Sequence, residues 1–467
     1  MNLKSYFKRY SIWALLFLFV FIYAFISVHK YEHFQSFAWD LAFFDELIWK
    51  QSVGLLPISS LVPLHVLGDH FQPVILLFSL VYKIVPDVRT LLIGQAFIAV
   101  LSAYPIYLLA LKVLVSKYTA LVITFTFLLF TGFQFAVFDG FHQSVFSAFF
   151  LGWLYFFLER KNWFGLGASV IGLLLTKEEY ALLLSALGLT TFFFYGQKKL
   201  GISLIVTGFT SFFIFIYIII PFFQQGTYTH FGYGELGATP QQVLYTAITQ
   251  PIIFIKLLVW PPVKLTTVLE SFFAFGFFPL LSPIHLIPIF QQYAVRFADT
   301  VTTHRWTNLN HYAFPLSPLL AVATIYGLRS FQNRFGKLAL WTTVLLISVL
   351  SQNFFSHGPI NSLFKPDFFQ VTYWEKDAHE LVKQVPPDVV IASQNSLLPH
   401  LAHRPKYYLL PEIGNADFIA VDLANGPNKY SPLNYTTFND LIENLLVTNQ
   451  YKIRWRRRDS LLLERVN

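Results

Sequence analysis

KYTALVITFTFLLFTGFQFAVFDGFHQSVFSAFFLGWLYFFLERK, residues 117–161, decides how this chain must fold. Its two apolar runs, 118–138 and 141–158, each approach the ~20 residues that an α-helix needs to cross a ~30 Å hydrocarbon core. The far ends carry Lys117, Arg160 and Lys161, whereas the turn between the runs carries Asp139 and His142. Loops rich in Lys and Arg stay cytoplasmic. The turn at Asp139 therefore faces outward, and the segment reads as a membrane hairpin with chemistry at its outer tip.

The alternation continues on both sides. Basic groups recur at Lys4, Lys8 and Arg9, at Lys112, at Lys198 and Lys199, and at Arg329, Arg334 and Lys337, with Glu159 the one acid among them. Between them fall Asp40, Asp45 and Glu46, then Asp69 and His70, Glu178 and Glu179, and His304 and His311. The outer face is thus the chemically loaded one.

Composition agrees. The 467 residues are 55% hydrophobic and only 12% charged, against about 25% charged in ordinary soluble domains, so the solvent for this surface is lipid. The net charge of +8 comes from the inside loops and from RWRRR at 454–458; it does not point to nucleic acid. Without cysteine, disulfides and thiolate-ligated metals are excluded. The apolar run 12–28 is longer than a signal core and lacks a small-residue cleavage site, so it reads as an uncleaved first helix.

Hydrophobicity and punctuation predict about eleven spans, near 11–29, 90–111, 118–138, 141–158, 163–176, 180–195, 200–223, 264–280, 283–296, 312–328 and 337–355. That parity puts the N-terminus in the cytoplasm and the C-terminus outside the plasma membrane. Pro279, Pro283 and Pro288 suggest a broken or re-entrant hairpin. Residues 71–86 would give only ~24 Å of helix, and counting them would move six basic residues outside, so they read as a juxtamembrane helix. The first outer loop, 30–89, is then long and structured. Residues 1–358 form the membrane domain. Residues 359–467 form a small outer α/β domain, with strand signals in DVVIAS, KYYLL, DFIAVD, YKIRW and SLLLERV and amphipathic helices in WEKDAHELVKQV and TTFNDLIENLLV.

Ionisable groups at a membrane surface are functional candidates. Carboxylates beside histidines serve as general bases, metal ligands or ion-pair partners. Asp139 and His142 are the candidate ligands for a divalent metal ion. Arg296, His304, Arg305 and His311 crowd one outer loop and suggest a cationic pocket for phosphate. The plainer readings are a capped interfacial helix for Asp45, a solvated helix face for Asp40, and a loop ion-pair cluster for Lys177, Glu178 and Glu179.

FAWDLAFFDELIWK (37–50), GDHFQPVILLFSLVYKIVP (68–86), FDGFHQSVFSAFF (138–150), LTKEEYALL (175–183) and the tail SQNSLLPHLAHRPKYYLLP (393–411) together resemble the prokaryotic membrane family called domain of unknown function 2079. That family is similar in organisation to the GT-C glycosyltransferases, which use a polyprenyl-phosphate sugar as donor. The resemblance implies that Asp45, with Glu46, acts on the acceptor hydroxyl and that Asp139 is the second acidic position. It implies that HFQPVILLF opens the juxtamembrane helix, with Gln72 where a Pro is common. Asp40, His70, Lys177, Glu178, Glu179, Arg296, His304, Arg305 and His311 would then bind substrate. The acceptor would be a glycan, lipid or protein. A lipid-linked-sugar transporter or flippase is the alternative, and a membrane scaffold with an outer binding domain is another.

Overall fold

Apolar length sorts the helices of this protein. The structure, a computed structural model, describes residues 3–427 and 431–466, with side chains from Tyr10 onward; Lys4, Lys8 and Arg9 lie outside the described side chains. Among the described residues, four helices are long and apolar enough to cross a membrane: Tyr10–Glu32, Arg89–Leu114, Lys198–Gln224 and Leu338–Phe355. Two bent pairs raise the number to six: Lys117–Leu129 with Thr131–Val137, at 53°, and Pro240–Thr249 with Pro251–Val259, at 104°. Five of these six coincide with expected spans; the last was not expected.

The other expected spans are shorter or more polar helices: Val145–Arg160, Trp163–Leu174, Glu179–Phe193, Val263–Ala274, Leu286–Phe297 and Leu316–Phe335. Twelve residues make only ~18 Å of helix, well short of the core. The apolar runs had been counted across real breaks. The run 264–280, for one, ends at Ala274 and resumes as the 3₁₀ turn Phe278–Leu281 after Phe277 takes a left-handed conformation. Length and composition by themselves thus support four to six spans. Within 71–86, the 3₁₀ turn Pro73–Leu77 runs into the helix Phe78–Tyr82. The combined ten residues do not reach across a bilayer.

The C-terminal sheet has strands β1 (Ile391–Ser393), β2 (Tyr407–Leu409), β3 (Phe418–Asp422), β4 (Tyr451–Arg457) and β5 (Ser460–Arg465) in the order β2-β1-β3-β5-β4. The first three pair in parallel and the last two join antiparallel. Helices Tyr373–Gln384 and Tyr435–Val447 accompany them, the first begun by a capping box of Thr372 and Glu375. This layer shares a core with the segment 30–89: Phe34, Ala38 and Ala42 pack with Ala378, Leu381 and Leu397. Polar contacts reinforce the seam. His33 Nδ1 meets Glu375 Oε1 at 2.8 Å, His379 Nε2 donates to the Glu32 carbonyl, His400 Nε2 donates to the Tyr31 carbonyl, and Ala38 N–H donates to Asn395 Oδ1.

Candidate functional site

The seam holds a wide π-turn, Ala38–Ala42, in place, and Asp40 lies on it. Helix Phe43–Ser52 follows directly. π-Turns interrupt helices mainly where function requires them. At ~100° per residue, positions five apart on a regular helix point ~140° away from each other. Asp40 and Asp45 therefore serve different neighbourhoods.

Asp40 faces the turn at 138–142. Gly140 lies at φ +83°, and a Cβ there would stand 3.0 Å from Asp40 Cβ, so glycine is what lets the two segments approach. Gln95, a polar residue in an apolar helix, clamps the same turn. Its Nε2 donates to the carbonyls of Val137 and Gly140, and its Oε1 accepts from His142 N–H. His142 Nε2 then stands 3.3 Å from Asp40 Oδ1 and 3.7 Å from Asp139 Oδ2. Asp139 accepts from His311 N–H at 2.9 Å, meets His311 Nδ1 at 3.1 Å and accepts from Asn310 Nδ2 at 3.1 Å. The His142 and His311 rings stack with centroids 3.5 Å apart. Burial, then His142 and Lys177, push the His311 imidazole well below its usual value. Four candidates from three outer segments, Asp40, Asp139, His142 and His311, thus meet at one point.

Positive charge lies alongside. Arg305 donates to Glu179 at 2.8 Å and to Asp299 at 3.0 Å, leaving its buried Nε without an acceptor. Lys177 Nζ is 3.8 Å from Glu179 Oε1, outside hydrogen-bond reach. Arg296 is turned to scaffolding: it donates to the carbonyls of Arg305 and Thr307 and to Asn308, holding the loop that presents Arg305. His304 sits exposed beside Tyr312.

His70 and Glu178 build a second cluster. Glu178 takes bonds from His70 Nδ1 at 2.7 Å, Phe71 N–H at 3.0 Å and Tyr228 OH at 2.8 Å. Burial pushes its pKa up, but His70 and Lys177 outweigh burial and hold it well below the usual carboxylate range. Asp69 pairs with His230 at 2.7 Å, and His230 stacks on His70.

Asp45 and Glu46 lie elsewhere, both fully buried. Asp45 Oδ1 accepts from Tyr82 OH at 2.6 Å and meets His403 Nε2, of the outer domain, at 2.9 Å. Burial pushes His403 down, but Asp45 outweighs burial and raises the imidazole above its usual value. Glu46 accepts from Lys50 and from Ser60, whose hydroxyl also receives Tyr407 N–H of β2. Both acids tie their helix to the C-terminal sheet layer, through His403 and through Ser60 and Tyr407, whereas Asp40 is partly exposed.

Sequence reasoning did not single out Gln95, Asn310, Tyr228, His230 or His403. A glutamine inside an apolar helix is a readable signal; the partners of the other four become visible only in three dimensions. A family model described as Predicted membrane protein (DUF2079) matches residues 30–458. No curated protein matches the chain.

Proposed function

We propose, for a chain that belongs to the DUF2079 family of predicted membrane proteins, that it is a GT-C-type glycosyltransferase. It would move a sugar from a polyprenyl-phosphate donor to an extracytoplasmic acceptor. The observation that carries this reading is the convergence of Asp40, Asp139 and His142 beside Lys177 and Arg305. A base, a second carboxylate and cationic groups for a leaving phosphate are within one neighbourhood.

In this reading Asp40, the half-exposed carboxylate of the cluster, takes the proton of the acceptor hydroxyl. The freed oxygen attacks the anomeric carbon. The carbon–oxygen bond to phosphate breaks, and polyprenyl phosphate leaves with both bond electrons. Lys177 and Arg305 meet the charge that develops on that phosphate. Asp139 keeps His311 oriented and, with Asn310, fixes the outer wall. The shorter helices complete the eleven-span arrangement, with the N-terminus cytoplasmic and the sheet outside. Reporter fusions after Lys117 and Lys199 then read cytoplasmic, and one after Gly358 reads external.

The test is transfer of label from a radiolabelled polyprenyl-phosphate sugar into membrane products at equal expression. Asp40→Asn keeps shape but removes the base, and transfer falls on the order of 10²–10⁴-fold. Asp45→Asn changes it far less. Undiminished transfer in Asp40→Asn removes this reading. A flippase would leave the label on polyprenyl phosphate in every variant.

A further inference from the structure

Two groups in this protein have the composition of a metal site: Asp139, His142 and His311, and Asp69, His70 and His230. In each, the three candidate ligand atoms lie within 4.8 Å of one another. The hydrogen bonds separate them. In the second group, His230 is bonded to Asp69 and His70 to Glu178. In the first, His142 is only 4% exposed, and its Nε2 is buried with no hydrogen-bond partner.

A buried, unpaired imidazole nitrogen is costly, and here it lies beside two carboxylates. Its separations from them, 3.3 Å to Asp40 Oδ1 and 3.7 Å to Asp139 Oδ2, do not serve a hydrogen bond. The first is close to the edge of a coordination polyhedron, and the second is a few tenths of an ångström longer. Ligand bonds of about 2.1 Å give ligand-to-ligand edges of about 3.0 Å in an octahedron and about 3.4 Å in a tetrahedron. The 3.1 Å from His311 Nδ1 to Asp139 Oδ2 falls in the same range.

We propose that Asp139, His142 and His311 bind one first-row divalent cation, with Asp40 at the open side. The donor set decides the ion class. Two imidazoles with carboxylate and no sulfur favour manganese or zinc over magnesium and calcium, which take all-oxygen shells, and over copper(I), which takes thiolates and thioethers. The supporting shell is present as well. Asn310 Nδ2 and His311 N–H fix the Asp139 carboxylate, and Gln95 fixes the His142 backbone, which is how bound ions hold their ligands in register. The inference does not depend on sugar transfer, because binding is measured without donor or acceptor.

The full-length protein in detergent is stripped with EDTA, incubated with manganese(II) chloride, washed and assayed for retained metal. About one ion per chain is expected, because one site of this kind is built. Asn310→Ala weakens retention about 10-fold, as loss of an outer-shell partner does, and His142→Ala weakens it further. His230→Ala leaves it unchanged. Pulsed electron paramagnetic resonance of the loaded wild type shows imidazole nitrogen coupling and needs no variant to fold. An ion-free wild type, absent nitrogen coupling, equal retention in His142→Ala, or loss on His230→Ala each overturns the site. Failure of the sugar-transfer assay alone leaves it standing.

Discussion

The groups at Asp139 and at Asp69 are built alike, from one aspartate and two histidines brought together by loops and short turns, yet they differ in what they have left over. Around Asp69, His70 and His230, a second acid, Glu178, and a tyrosine have been added, and both imidazoles are bonded to carboxylates. Around Asp139 a nitrogen remains unpaired and Asp40 remains half open. The difference teaches that a set of reactive residue types becomes a site only where the fold leaves one of them unspent. The closed cluster ties 69–71 to the start of helix Glu179–Phe193 and to Tyr228; the open one is where the proposed acceptor would enter.

The largest effect that can break this comparison is on turnover. Asp40→Asn should lower sugar transfer on the order of 10²–10⁴-fold, while Asp69→Asn stays within about 10-fold. Equal losses would erase the distinction. Stability should rank the clusters the other way. Glu178→Gln weakens three hydrogen bonds to a carboxylate, from His70, Phe71 N–H and Tyr228 OH, each of about 1.5–3 kcal/mol, read as a fall in the unfolding midpoint in detergent. The folded Glu178 carboxyl lies below its unfolded value of about 4.3. Its contribution is thus complete above that pH and lost as pH falls through the folded value. Glu178→Gln should flatten that acid limb.

The anchor at Asp45 gives a smaller effect of opposite sign. His403 is raised in the fold, so its bond to Asp45 contributes fully below the unfolded value of about 6.5 and is lost as pH climbs through the folded one. Hydrogen exchange in β1 and β2 should speed up across that interval. The difference is on the order of 1.5–3 kcal/mol, typical of a charge-assisted bond, and His403→Gln should abolish the dependence. Gly140→Ala is expected to act least, about 1–2 kcal/mol for the left-handed backbone, read as a lower unfolding midpoint. An unchanged midpoint would mean that the close approach of Gly140 to Asp40 is not what sets this turn.

The membrane character, the short helix within 71–86 and the seven elements of the C-terminal sheet layer were legible because period, charge and turn residues act locally. The number of spans was less so: hydrophobicity runs straight through the break at Phe275–Ser282, whereas the backbone does not. The outer acids were legible as a set but not as individuals. Asp45 has the better sequence credentials, with Glu46 beside it. It is buried because Tyr82 and His403, 37 and 358 residues away, close over it, and no local pattern reports such partners. Likewise, nothing near Asp139 in sequence announces Asn310 and His311.

The π-turn at Ala38–Ala42 has a consequence for how this protein tolerates change. The turn opens the helix: Phe37 before it is extended, and Phe43–Ser52 follows it directly. Removing one residue between Asp40 and Asp45 would turn the two by ~100° relative to each other. Ala38 and Ala42 are locked into the outer core on one side and Asp45 is locked by His403 on the other. The frame can then satisfy the anchor or the open cluster, but not both. This stretch of 37–50 should therefore accept many substitutions on its exposed side, such as at Trp39, and almost no change in length.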